Sequence, residues 1–235
     1  MVLIMHQSAM NTAKLFFDIY ATEQNFPKGA KVLDVGSQDV NGSLKEICPK
    51  FLTYLGVDFV SGKGVDVVLQ DPYKMPFEDE HFDIIVCSSV FEHSQMFWLL
   101  YLEIMRVLKQ QGVFYLNVPS TGEFHRYPVD CWRFYPDSAN ALIEWAKRNH
   151  LNPVLLESFI CTQDSVFSDS VAVFLKDSSY LSKYPKRILD VKKDFINGLD
   201  SRIVGFRNHT AATQDILKLQ VIQQIASGQM KVSAF

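Results

Sequence analysis

The sequence predicts an α/β protein: a doubly wound, seven-stranded, mostly parallel sheet with helices on both faces, followed by a helical C-terminal extension. Three observations predict it. Short apolar runs alternate with stretches of helical spacing, as a parallel sheet with crossover helices requires. Most of those runs end in an acid or a turn former, which is where such sheets place their ligands. The chain has 235 residues of which 48% are hydrophobic, enough to bury one large core.

Taken in order, SAMNTAKLFFDIYATEQ reads as an amphipathic helix ahead of the sheet. KVLDVG, TYLGVD, VDVVLQD, FDIIVCSS and GVFYLNVP are the first five strands, short and rich in β-branched or aromatic residues. In FWLLYLEIMRVLK, Trp98, Leu102, Met105 and Leu108 recur at helical spacing, and Gly112 follows within a turn of the expected C-terminus. A helix from about Asp137 to Arg148 comes next, and PVLLESFI and SVAVFLK supply the last two strands. From Ser178 the chain is more polar, with helical spacing in AATQDILKLQVIQQIA. The expected division is therefore a sheet domain over 1–177, including the N-terminal helix, and a helical extension over 178–235.

Composition narrows the partners. A formal charge of -3 without a Lys/Arg block offers no footprint for a phosphate backbone or an anionic membrane. MVLIM is apolar but lacks a basic flank and stops at His6 and Gln7, so no leader or span is read and a cytoplasmic location is expected. Cys48, Cys87, Cys131 and Cys161 lie far apart without C-x-x-C spacing, which predicts buried free thiols. No metal-ligand cluster is expected, and a homodimer is left open.

After the first strand, Gly36 lets the backbone turn tightly under a ligand in VLDVGSQDVNGS, where Ser37 and Asn41 add polar contacts. A dinucleotide loop needs glycine at the third and sixth positions from its first, to admit a pyrophosphate; Gln38 and Asn41 stand there. Asp34 would repel a pyrophosphate and attract the ammonium of a methionyl group, which favours S-adenosylmethionine over NAD. Asp58 stands about 20 residues past the glycine, the separation at which an acid takes ribose hydroxyls. Asp71 is placed to accept from an adenine amino group, with Phe59 or Tyr73 against the ring, Pro72 between, and Ser88 after the fourth strand.

Together VLDVGSQDVNGS, GVD, LQDPYKMPFEDEHFDIIVCSSVFEH and LKQQGVFYLNVPS resemble the class I S-adenosylmethionine-dependent methyltransferases over roughly Lys31 to Leu175. The resemblance implies that the glycine loop at Gly36 holds the methionyl part, Asp58 the ribose and Asp71 the adenine. Ser37, Gln38, Asp39 and Asn41 replace the usual alternate glycines before Gly42, so the path around the methionyl tail should differ. DVNGS with HRYPVDCWRFYPD is similar to a bacterial subgroup associated with saccharide or small-metabolite tailoring.

FHRYPVDCWRFYPD follows the fifth strand, and Pro128 and Pro136 make it a shaped loop. His125 is the candidate base, with Asp130 orienting or charging it, and His93 in SSVFEHS is the rival. Arg126 and Arg133 are candidate partners for a phosphate or carboxylate, while Tyr127, Trp132, Phe134 and Tyr135 would wall an apolar or sugar-ring face. The other reading of this loop is an anchor held by its aromatics and an Arg to Asp130 salt bridge. The expected activity is methyl transfer to a hydroxyl, less readily an amine, of a small polar metabolite or sugar derivative. The alternatives are an NAD-dependent oxidoreductase and a non-catalytic binding module. Amino methylation of nucleic acid is disfavoured, since CSSVFEHS stands where an N-P-P-Y-like run would be needed.

Overall fold

The computed structural model describes residues 7–40, 42–162 and 168–230. Helix α1 (Gln7–Tyr20) leads into β1 (Lys31–Val35), β2 (Thr53–Asp58), the two-residue β3 (Val67–Val68) and β4 (Phe82–Ser88). Helix α2 (Phe97–Val107) runs directly into β5 (Leu108–Thr121), and α3 (Pro136–Arg148), β6 (Val154–Cys161) and β7 (Ser168–Leu175) follow. The C-terminal segment contributes β8 (Phe195–Asp200) and α4 (Gln214–Ala226).

The strands form one sheet in the order β3-β2-β1-β4-β5-β7-β6-β8. Pairs from β3 through β5 are parallel, and β7 and β8 run against their neighbours. The chain winds outward from β1 to β3, then crosses back over β1 to β4. That reversal opens a crevice at the carboxyl ends of β1 and β4, the place where open α/β sheets take ligands.

Successive residues of each central strand face opposite sides, so two cores form. Leu33, Ile85, Phe114 and Phe174 pack under α2 and α3 through Ile104, Met105, Leu142 and Ala146. Val32, Ile84, Tyr115 and Val173 pack under α1 through Ala13, Phe16 and Phe17. In α2 the buried stripe is Leu100, Tyr101, Ile104 and Met105, rotated slightly from the predicted one, and Trp98 and Leu102 are only half-buried.

Two expectations are corrected. The sheet has eight strands rather than seven, and the eighth comes from the extension expected to be helical. FINGLD carries only three apolar residues, but the outer edge of β6 offers it backbone partners, so sheet pairing overrides a weak local signal. Between β1 and β2 the chain makes only a single 3-10 turn, Leu44–Glu46, instead of a crossover helix, and Ser43 caps it by accepting from Lys45 N. Helix α4 leaves Leu219, Val221 and Ile222 exposed. Among the described residues no helix is long and apolar enough to cross a membrane.

Candidate functional site

At the end of β1, Gly36 adopts φ +82°, and a Cβ there would collide with Val90. This backbone conformation starts the loop that floors a pocket of about 230 Å³ lined by Asp34, Gly36, Ser37, Gln38, Gly42, Ser43, Leu44 and Ser88. The loop is braced from below by the turn between β2 and β3. Asp39 N donates to Lys63 O at 2.8 Å, Lys63 pairs with the Asp39 carboxylate, and Gly64 (φ +86°) leaves no room for a side chain beneath Ser37 O. SGKG thus acts as the backing of the glycine loop.

Asp34 is 5% exposed, and its Oδ2 accepts from the Tyr54 hydroxyl at 2.6 Å. Burial pushes its pKa up to about 7; Tyr54 opposes the shift and the nearby Asp58 adds to it. A half-ionised carboxylate at the pocket floor gains most from a cation, such as an ammonium, that fixes it in the charged form. Asp58 accepts from Val60 N at 3.1 Å and lies under Gln38 N at 3.4 Å, which ties the end of β2 to the same loop. Ser37 Oγ and Ser88 Oγ are buried without a hydrogen-bond partner among the described residues. Orphaned hydroxyls beside a carboxylate in this crevice fit the chemistry of the amino acid end of S-adenosylmethionine.

The structure does not bring every predicted cofactor residue to this pocket. Phe59 follows Asp58 and is exposed at the rim. Asp71 and Pro72 are exposed at the end of β3, where Asp71 Oδ1 caps its own turn by accepting from Tyr73 N at 2.8 Å. Tyr73 leans into the core, and its hydroxyl accepts from Met96 N at 3.2 Å, so it is not turned toward a ligand. Asn41 lies outside the described residues.

The aromatic loop arches over the same rim. Tyr127 donates from its hydroxyl to Gln38 Oε1 at 3.1 Å, joining this loop to the glycine loop. Trp132 donates to Ser94 O at 2.9 Å and packs edge-on against Phe97 and Trp98. Phe134 is buried in the core beside Phe91 and Phe97, which anchors the loop instead of walling a ligand. Cys131 N donates to Glu92 O at 2.7 Å. The Cys131 thiol is exposed, against the expectation of a buried one, because this loop holds its side chain outward.

His125 and His93 meet edge to face, 5.0 Å between ring centres. Carbonyl oxygens only accept, so His93 donates from Nδ1 to Val129 O at 2.5 Å and His125 from Nδ1 to Glu123 O at 2.9 Å. Burial lowers the His93 pKa. Asp130 does not hold the His125 ring directly: its Oδ2 accepts from the His125 backbone N–H at 2.8 Å and stands 3.6 Å from Nδ1. Arg133 clasps the Asp130 carboxylate at 2.5 and 2.8 Å and also donates to Glu123 O. That fork keeps Asp130 down at about 2. It also corrects the expectation that Arg133 meets a substrate anion, since its donors are spent on the loop. Arg126 is exposed and, among the described residues, has no ion-pair partner.

Residues 34–116 match the family model described as a methyltransferase domain. Over that stretch the chain is similar to methyltransferase domains. Among solved structures, the Burkholderia thailandensis 1,6-didemethyltoxoflavin-N1-methyltransferase, with S-adenosylhomocysteine bound, is 16% identical and aligns over 73% of this chain and 80% of its own with a TM-score of 0.53. The [4+2]-cyclase SpnF is 14% identical and aligns over 74% of this chain and 84% of its own with a TM-score of 0.54. These likenesses concern the fold. No curated protein matches the chain.

Three features of this site are not legible in the sequence. Tyr54 sits mid-strand in an ordinary apolar run, and only the register of β2 beside β1 brings its hydroxyl to Asp34. Gln38 stands in the sequence as a missing glycine, yet its amide oxygen carries the bridge to Tyr127. Glu92 is 1% exposed, with both carboxylate oxygens unpartnered in hydrogen bonds among the described residues, and burial pushes it up to about 8. A carboxylate beside the rival histidine in FEH was the available signal.

Proposed function

We propose that the domain transfers a methyl group to a hydroxyl, less readily an amine, of a small polar metabolite or sugar derivative, including acceptors bearing a phosphate or carboxylate. One observation carries the reading: the Tyr127 to Gln38 bridge ties the histidine-bearing loop to the glycine loop, so acid-base groups and cofactor pocket share one rim. Bound S-adenosylmethionine supplies an electrophilic methyl carbon on a sulfonium. Asp34 would hold the ammonium, Gly36, Ser37 and Ser88 would line the methionyl tail, Asp58 would take the ribose hydroxyls, and Phe59 and Asp71 would flank the adenine.

On the acceptor side, His125 takes the hydroxyl proton through the ring nitrogen that does not face Glu123 O, with His93 as its rival and Asp130 positioning the loop backbone. A pocket of about 430 Å³ lies farther along the carboxyl edge, lined by Ser120, Thr121, Tyr135, Ser168, Asn197 and Thr210 among others. Ser120, Thr121 and Ser168 bring buried hydroxyls without partners among the described residues, which suits a neutral polyhydroxylated body. Tyr127 and Tyr135 offer exposed faces to a sugar ring, and Arg126 is the remaining cation for an anionic group. The net charge of -3 supports a small acceptor over nucleic acid.

The test is methyl transfer across paired hydroxyl and amine acceptors, read as S-adenosylhomocysteine release and product mass. Hydroxyl products are expected, and His125→Asn should keep cofactor affinity while turnover falls by roughly 10²–10⁴-fold. Products on amines alone would refute the acceptor class, and full turnover in His125→Asn would remove that residue from the reaction.

A further inference from the structure

We propose that Glu92, His93 and His125 form a binding site for one divalent first-row transition ion. Each offers one ligand atom, and the three atoms lie within 4.8 Å of one another. His93 and Glu92 are neighbours on the 3-10 turn Phe91–His93 after β4, whereas His125 arrives from the loop after β5. The fold has therefore brought together ligands that α2 and β5 separate in sequence, which is why spacing alone gave no sign of them.

The ligand chemistry is right for such an ion. Two imidazoles and one carboxylate with remaining positions open is a donor set that zinc and ferrous iron both accept. Metal-bound histidines nearly always donate the second ring N–H to a carbonyl or carboxylate, which fixes the tautomer and aims the other nitrogen. Both histidines already do this, His93 to Val129 O at 2.5 Å and His125 to Glu123 O at 2.9 Å. The second, independent observation is Glu92 itself. Its carboxylate is 1% exposed with neither oxygen hydrogen-bonded among the described residues, and Oε1 stands 3.7 Å from His93 Nε2. A buried acid with no donor beyond its own backbone N–H is costly, and a coordinated cation removes the cost. The charged surroundings favour a cation as well. Asp130 and Asp169 act on Glu92 as further carboxylates, and Arg133, the nearby guanidinium, is committed to Asp130.

Occupancy can be read without any turnover, so the site and the methyl-transfer reading fail separately. An occupied site uses the imidazole lone pairs, so metal binding and proton abstraction by these rings are exclusive states of one place on the rim.

The experiment uses the full chain, stripped with a chelator and titrated with Zn²⁺ and with Co²⁺ as a spectroscopic probe. One ion per chain is expected by elemental analysis, with a visible Co²⁺ band of a four- or five-coordinate site and a rise in Tm. His125→Ala and Glu92→Gln should each weaken binding by more than the roughly 10–100-fold typical of losing an outer-shell partner. Cys131→Ser should leave it unchanged. Should Glu92→Gln not fold, His125→Ala, on an exposed loop, decides the matter. Failure to bind an ion stoichiometrically, unchanged affinity in His125→Ala, or loss of the ion in Cys131→Ser would each overturn the proposal.

Discussion

Asp34 carries its charge at a cost. Burial lifts its pKa to about 7 while an unfolded aspartate titrates near 3.9. Between those values the folded chain holds a proton that the unfolded chain has released, so folding is favoured below the window and weakened as pH rises through it. A bound ammonium reverses that loss, because it engages only the ionised form. Affinity for S-adenosylhomocysteine, which keeps the amino acid tail, should therefore rise by roughly an order of magnitude from pH 6 to pH 8. Tyr54→Phe deletes the hydroxyl that holds the pKa down, so the midpoint of that rise should move to higher pH. Isothermal titration at a series of pH values measures both, and a flat profile in the parent chain would remove Asp34 from ammonium binding. At this scale Asp34, Gly36 and Asp58 were legible because strand-end acids and a turn glycine have few local reasons to recur. Tyr54 and Glu92 were not, because their partners arrive from other strands and loops.

The element that departs most from expectation is the segment containing β8. Arg187 is 1% exposed and donates to Leu156 O at 3.0 Å, to Ser201 Oγ at 2.9 Å and to the carbonyls of Tyr184 and Lys186. Glu157 on β6 accepts from the Tyr20 hydroxyl at 2.6 Å and from the backbone N–H groups of Ile188 and Leu189. The two side chains thereby weld α1, β6 and the approach to β8 into one unit. Arg187→Ala would leave several buried acceptors without their donor and take from the buried Asp200 a cation 3.8 Å away, at a cost of about 3–5 kcal/mol. In a chain of this size that lowers Tm by roughly 6–20 °C. A drop under about 2 °C, equivalent to a kcal/mol or less, would show that the network is dispensable. Charged residues scattered through a polar segment give no sequence sign of such a weld, which is why the segment reads as a helical extension. The N-terminal helix, α2 and α3 were readable because each carries its own apolar stripe.

For the whole molecule, the order of strands sets the function. β1 starts the sheet, the chain turns back across it, and the crevice so formed collects Asp34, Gly36, Ser37 and Ser88, while the loop after β5 closes over it through Tyr127 and Gln38. Five apolar runs sufficed to read that crevice from sequence. The roles within the aromatic loop were not separable there, because the same Arg133 and Asp130 suit a ligand or each other, and only the observed fork between them decides for each other. The most direct measurement is calorimetric titration of S-adenosylhomocysteine into the parent chain and into Asp34→Ala at pH 8. One ligand per chain in the parent, and no detectable binding in a folded Asp34→Ala variant, is the predicted result. Absence of binding to the parent, or equal affinity in both chains, would contradict it.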